Sequence, residues 1–166
     1  MRAVAVVGNP KPASRTADAA QRLAAALGAD EVELIDLIEL GPGLIGWGDE
    51  SVKAAVAKVQ ASDLAIFASP TFKATYTGLL KLFLDQFATA TGLEGVVAVP
   101  LMLGAGPGHA LAPEVLLKPV LVELGAITPA PGLYQLDSAY LDDPKLADYA
   151  ARWAPVIKAV TALRTP

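Results

Sequence analysis

Leu64-Ala65-Ile66-Phe67-Ala68-Ser69-Pro70-Thr71-Phe72-Lys73-Ala74-Thr75-Tyr76-Thr77-Gly78 joins an unbroken apolar run to a segment of proline, aromatic, lysine, tyrosine and glycine. The run is short, β-branched and aromatic, with no polar residue in alternation, so it reads as a strand buried on both faces. Ser69-Pro70 ends it, because the residue before a proline is pushed out of the helical region. Ligands of open α/β sheets bind beyond the carboxyl ends of the strands, so chemistry is expected on the loop that follows.

Outward from this point, strand and helix patterns alternate. Arg2 to Val7 is a buried-strand run, and Thr16 to Leu27 is an alanine-rich helix stopped at Gly28. Glu31 to Leu37 alternates like a shorter strand. Leu40 to Gly48 has four glycines and a proline and reads as a loop, after which Asp49-Glu50-Ser51 opens a helix to about Gln60. Tyr76 to about Ala90 repeats apolar residues at helical spacing. Gly95 to Leu103 is a fourth strand leading into Gly104-Ala105-Gly106-Pro107-Gly108, and a helix follows from about His109 to Leu124. Pro119 has no N–H to bond the carbonyl of Val115, so that helix is expected to kink or bulge. Residues 126–136 form a weak strand broken by Pro129, Pro131 and Gly132, placed at a sheet edge where proline is tolerated. Asp142-Asp143-Pro144 caps a last helix to about Leu163.

Five strands alternating with five helices imply an α/β fold with a parallel sheet covered on both faces, since right-handed crossovers place the helices there. A dinucleotide fold wants six strands and a glycine fingerprint after the first; neither is present. The flavodoxin-like three-layer order 2-1-3-4-5 fits, with residues 1–166 as one domain. In that order the loops after strands one, three and four converge.

Composition narrows the chemistry. Hydrophobic residues make up 54% and charged residues 18%, yet no segment approaches the roughly 20 apolar residues of a membrane span. The excess is expected in the core or between subunits. A net charge of −4, with no basic cluster, argues against nucleic acid. With no cysteine and one histidine, a disulfide framework, a thiolate zinc site and an imidazole metal cluster are excluded. The start is too short in apolar residues for a secretory segment, so a cytoplasmic location is expected.

The first loop, Gly8 to Thr16, runs from strand to helix. Free N–H groups at the helix start, hydroxyls on Ser14 and Thr16, and cations on Lys11 and Arg15 suit a phosphate dianion; equally, Ser14 suits a helix cap and the cations suit solvent. In the second loop, Pro70 to Gly78 offers a backbone wall for a planar ligand, while Phe72 and Tyr76 suit core or interface positions as well. The third, Gly104 to Gly108, lets a flat ring approach the main chain.

Taken together the loops resemble the flavodoxin-like NADPH-dependent FMN reductases, nearest the small reductase components of two-component alkanesulfonate monooxygenase systems. That family's Gly-Ser-Pro-x-x-x-Ser-Arg-Ser is similar to Gly8-Asn9-Pro10 leading to Ser14-Arg15-Thr16. Its Pro-x-Tyr-Lys-x-x-Tyr-x-Gly is similar to Pro70 through Gly78, and its Leu-Lys-Pro-Val-Leu matches Leu117-Lys118-Pro119-Val120-Leu121. The resemblance implies that Ser14, Arg15 and Thr16 hold the FMN phosphate, that Pro70, Thr71, Phe72 and Lys73 line the isoalloxazine, and that Gly104 lies under its pyrimidine edge beside Ala105. Two departures stand out: Phe72 lacks the family's tyrosine hydroxyl, and Ala105 adds a methyl where the family has a second glycine. Valine stands at position 115, where reductases that release flavin can carry an aromatic.

By this resemblance NADPH or NADH passes hydride to flavin N5, and the protein supplies stacking, phosphate anchoring and electrostatics while the cofactor reacts. That chemistry suits a chain with one histidine; His109 is placed to touch flavin or nicotinamide, or simply to end a helix. A flavin-dependent monooxygenase is the implied acceptor, and a homodimer or homotetramer through the Tyr76–Phe87 helix the implied assembly. An FMN-retaining quinone or azo reductase, and a flavodoxin-like electron carrier without nicotinamide chemistry, are the alternatives.

Overall fold

β1 (Arg2–Val7), β2 (Glu31–Asp36), β3 (Leu64–Pro70), β4 (Val97–Gly104) and β5 (Leu133–Leu136) form one parallel sheet in the order β2-β1-β3-β4-β5. The computed structural model describes residues 1–163. The strand order is the expected one, and it puts the point where the order of strand addition reverses between β1 and β3. β3 and β4 are buried along almost their whole length, and β1 behind its first residue, because helices cover both faces.

Alternate residues of each strand feed opposite layers. Val4, Val6, Ala65, Phe67, Ala98 and Met102 pack under α2 (Glu50–Ala61), α3 (Gly78–Leu84) and α4 (Lys118–Glu123). Ala3, Ala5, Val7, Ile66, Val99 and Leu101 pack under α1 (Arg15–Ala26) and α5 (Lys145–Ala162). On the second face α1 presents Ala17, Ala19, Ala20 and Ala24, side chains small enough to let the helix lie close to the sheet.

Several elements differ in extent from the sequence reading. Leu37–Leu44 is a 3₁₀ helix rather than the start of a loop, interrupted at Gly41, whose φ is 52°. α3 stops at Leu84, short of Ala90. The apolar spacing runs on to Phe87 because that side chain is buried in irregular chain, where it meets Phe83 edge-to-face at 5.3 Å. The fourth helical segment is divided into a 3₁₀ turn, Pro107–His109, a π-helix, Pro113–Leu117, and α4. The Lys118 N–H bonds the Pro113 carbonyl five residues back, so the missing donor at Pro119 is accommodated as a bulge, as its position implied. Glu114 pins this bulge: its carboxylate accepts from the Gly132 N–H at 2.7 Å and from Lys118 Nζ at 2.8 Å. Burial pushes that carboxyl up, but the two donors outweigh it and hold it below its ordinary value. Among the described residues no helix is long and apolar enough to cross a membrane, and no cluster of acidic residues and histidine is placed to hold a metal.

Candidate functional site

A cleft of ≈ 380 Å³ opens where the carboxyl ends of β1, β3 and β4 meet. Its size lies in the usual range for small-molecule sites. Ser14, Arg15 and Thr16 form one wall, Pro70, Thr71 and Phe72 a second, and Gly104 and Ala105 a third. The three loops singled out in the sequence therefore converge. Lys73 is the exception among the expected residues: it lies exposed at the tip of its loop, outside the lining. His109 is exposed and also outside it.

The first loop is fixed by its own side chains. Asn9 Nδ2 donates to Thr16 Oγ1 at 3.0 Å, while Asn9 Oδ1 accepts from the Lys11 N–H at 2.9 Å. Ser14 caps α1, its hydroxyl accepting from the Ala17 N–H at 3.3 Å, so the capping role and a place in the cleft wall coincide. Ala13 is held in the left-handed region at φ 48°, and its N–H donates to Asp36 Oδ2 at 3.2 Å. Asp36 ends β2 and is buried, with Oδ1 unpartnered among the described residues.

Burial pushes the Asp36 carboxyl above its ordinary value; the Ala13 N–H works the other way, and nearby Glu39 adds to the rise. The native state then binds this proton more tightly than the unfolded chain does. Acidification from the raised native value toward the ordinary carboxylate range accordingly stabilises the fold through this residue. Melting temperatures of wild type and Asp36→Asn should therefore diverge in the wild type's favour as pH falls from 7 toward 4. A difference that stays constant with pH would contradict this assignment.

The second loop is tied to the first and third. Thr77 Oγ1 donates to the Gly8 carbonyl at 2.6 Å and accepts from the Leu80 N–H at 3.1 Å, capping α3. The Thr77 N–H donates to Ser69 Oγ at 3.0 Å, and the Thr71 N–H to the Leu103 carbonyl at 2.7 Å. Between them Phe72 and Thr75 exchange two main-chain bonds around Lys73 and Ala74, both at positive φ (50° and 72°). This is a type I′ turn built without glycine or asparagine, a strained arrangement at the mouth of the cleft. Phe72 is half exposed, its ring standing at the rim. Thr71 Oγ1 is buried without a hydrogen-bond partner among the described residues, and it belongs to the cleft wall.

Gly104 has a reason to be glycine within the fold itself. A Cβ there would lie 1.9 Å from the Tyr134 hydroxyl, which donates to the Gly106 carbonyl at 2.6 Å and so shapes the third loop from β5. The sequence reading missed Leu103 and Asp137 as lining residues. Asp137 follows β5, and the rule that points to strand carboxyl ends would have found it had the weak last strand been weighted like the others.

Comparison with known proteins agrees with this geometry. Residues 1–140 match the family model described as NADPH-dependent FMN reductase. The chain is 31% identical over 147 residues to an FMN reductase (NADPH) of Escherichia coli (strain K12), covering 86% of this chain and 76% of that protein. It is 30% identical over 149 residues to the NADH-dependent FMN reductase SfnF of Pseudomonas putida, covering 84% and 80%. Among solved structures, the apo form of the NADH:FMN oxidoreductase EMOB superposes with a TM-score of 0.82 at 29% identity, covering 99% of this chain and 90% of that one. With the match spanning the sheet and all three loops, the chain belongs to the NADPH-dependent FMN reductase family.

Proposed function

We propose that the cleft binds FMN, with the phosphate at Ser14, Arg15 and Thr16 and the isoalloxazine beside Pro70, Thr71, Phe72, Gly104 and Ala105, and that NADPH or NADH reduces the flavin there. The observation that carries this reading is one cleft holding a helix start with two cations at one end and a backbone wall at the other. The residues fit the group: Arg15 and Lys11 supply charge for a dianion, and the unpartnered Thr71 hydroxyl suits the polar edge of a flavin. Bound FMN supplies the hydride acceptor, so the chain needs no acid, base or nucleophile of its own.

What the chain's residues do is bind, orient and shield. The α1 start and Arg15 offset phosphate charge, the Phe72 ring covers apolar surface at the rim, and the tied loops keep the wall in place before a ligand arrives. Lys73, at the strained tip, is positioned to act only on a ligand portion that extends beyond the cleft. The acceptor of the reduced flavin or its electrons would be a separate partner, for which a flavin-dependent monooxygenase is the fitting class.

Assembly through α3 belongs to the same reading. Leu82 on its outer side is exposed, and Ile45 and Trp47 on the adjoining segment, tethered by Gln86 Nε2 to the Gly46 carbonyl at 2.9 Å, are 78% and 77% exposed. An apolar set of this kind calls for a covering surface, and a second copy supplies one. Light scattering at micromolar concentration should give a dimer or tetramer; a monomer would contradict it.

Steady-state oxidation of NADPH and NADH by the purified protein, with and without FMN and with and without added quinone, tests the reductase reading. FMN-dependent oxidation is expected. A protein that oxidises neither nicotinamide under any of these conditions would refute it.

A further inference from the structure

Asp137 is the one acidic residue lining the cleft among its described residues. It is held in place by main-chain bonds at both ends: its N–H donates to the Gly104 carbonyl at 3.0 Å, and its carbonyl accepts from Arg15 Nη1 at 2.9 Å. Its carboxylate also faces that guanidinium, with Oδ2 3.8 Å from Nη1. Arg15 therefore already has an anionic partner, and both side chains stay partly open to solvent, at 62% and 39%.

We propose that Asp137 sets the affinity and selectivity of the flavin site: its carboxylate competes with the flavin phosphate for Arg15 and repels that phosphate. The inference rests on the flavin reading above and goes beyond it. A dianion entering beside a fixed carboxylate loses part of what Arg15 would otherwise contribute, whereas a flavin without phosphate meets no such opposition. The result is a phosphate grip held below its maximum, which suits a flavin that is taken up and given back rather than kept. Because Arg15 bonds the main-chain carbonyl of Asp137, replacing the side chain leaves that tether in place, so affinity and loop placement can be separated.

The test is a fluorescence titration of wild type and Asp137→Asn with FMN and with riboflavin, at low and at high salt. The variant should bind FMN about three- to tenfold more tightly, with riboflavin changed by less than about twofold, and the gain should shrink at high salt as exposed charges are screened. FMN binding that is unchanged or weaker in the variant would overturn the proposal, as would an equal shift for both flavins, which would mark Asp137 as merely structural. Should Asp137→Asn fail to give a native melting transition, Asp137→Ser reads the same ratio. A wild-type protein that binds neither flavin would bring down the flavin site itself, and that outcome is distinct from a wild type that binds FMN and a variant that binds it no better.

Discussion

Replacing Arg15 with alanine should weaken FMN binding by about ten- to a hundredfold while leaving riboflavin within about twofold. Charge-assisted hydrogen bonds to a phosphate contribute about 1.5–3 kcal/mol each, and about 1.4 kcal/mol corresponds to a factor of ten. Arg15 is the first residue of α1, and its guanidinium, reaching across to the Asp137 carbonyl, adds a full charge to a cleft whose helix start already favours an anion. Lys11 and the hydroxyl of Thr16 remain in the variant, which is why binding is expected to fall and not vanish. Fluorescence titration with the two flavins measures it. Equal weakening of both would mean that Arg15 shapes the loop and does not hold phosphate.

Gly8→Ala should cost about 3 kcal/mol of stability, which lowers the melting temperature of a chain this size by about 6–12 °C. A Cβ at this position would lie 2.5 Å from Leu80 Cβ and 3.1 Å from both Leu80 Cα and Thr77 Oγ1. Leu80 Cβ is attached directly to the backbone of α3 and is fully buried, so no rotamer change relieves the clash. The helix has to retreat, and its retreat strains the Thr77 Oγ1 bond to the Gly8 carbonyl and the bond from the Thr77 N–H to Ser69. Since those bonds join the first and second loops, flavin affinity should fall with stability. Thermal melting that shifts by less than about 2 °C would contradict the close approach of β1 and α3.

The sheet was legible because its strands carry the pattern in themselves. Leu64–Ala68 and Arg2–Val7 are buried runs bounded by glycine and proline, and the lack of a glycine fingerprint after β1 left one strand order. Periodicity misled where burial and helicity part company: Phe87 is buried as a loop residue, so its spacing extended α3 on paper and not in the fold. Gly41 and Pro42 looked like loop residues, yet Leu37 and Leu44 pull that stretch onto the core as a 3₁₀ helix. The irregularity at Pro119 was readable because it follows from one missing donor, a local fact.

The site divides along the same line. Pro70 and Gly104 end β3 and β4, and Ser14 and Thr16 open the helix that follows β1, where topology alone points. Asp137 does not announce itself, because its significance lies in the distance to Arg15, which is 122 positions away in the chain. The same holds for Tyr134, whose hydroxyl occupies the space that makes Gly104 obligatory. Lys73 shows the opposite case: prominent in the sequence motif, it stands on a strained turn outside the cleft.

The most direct measurement is the rate of NADPH and NADH oxidation by wild type and Arg15→Ala across a range of FMN concentrations. FMN-dependent oxidation by the wild type is expected, with the variant slow at low FMN and restored toward the wild-type rate at saturating FMN, as the proposed role of Arg15 in holding the flavin phosphate and not in hydride transfer requires. Oxidation by the wild type that does not depend on FMN, or a loss in the variant that no concentration of FMN restores, would contradict it.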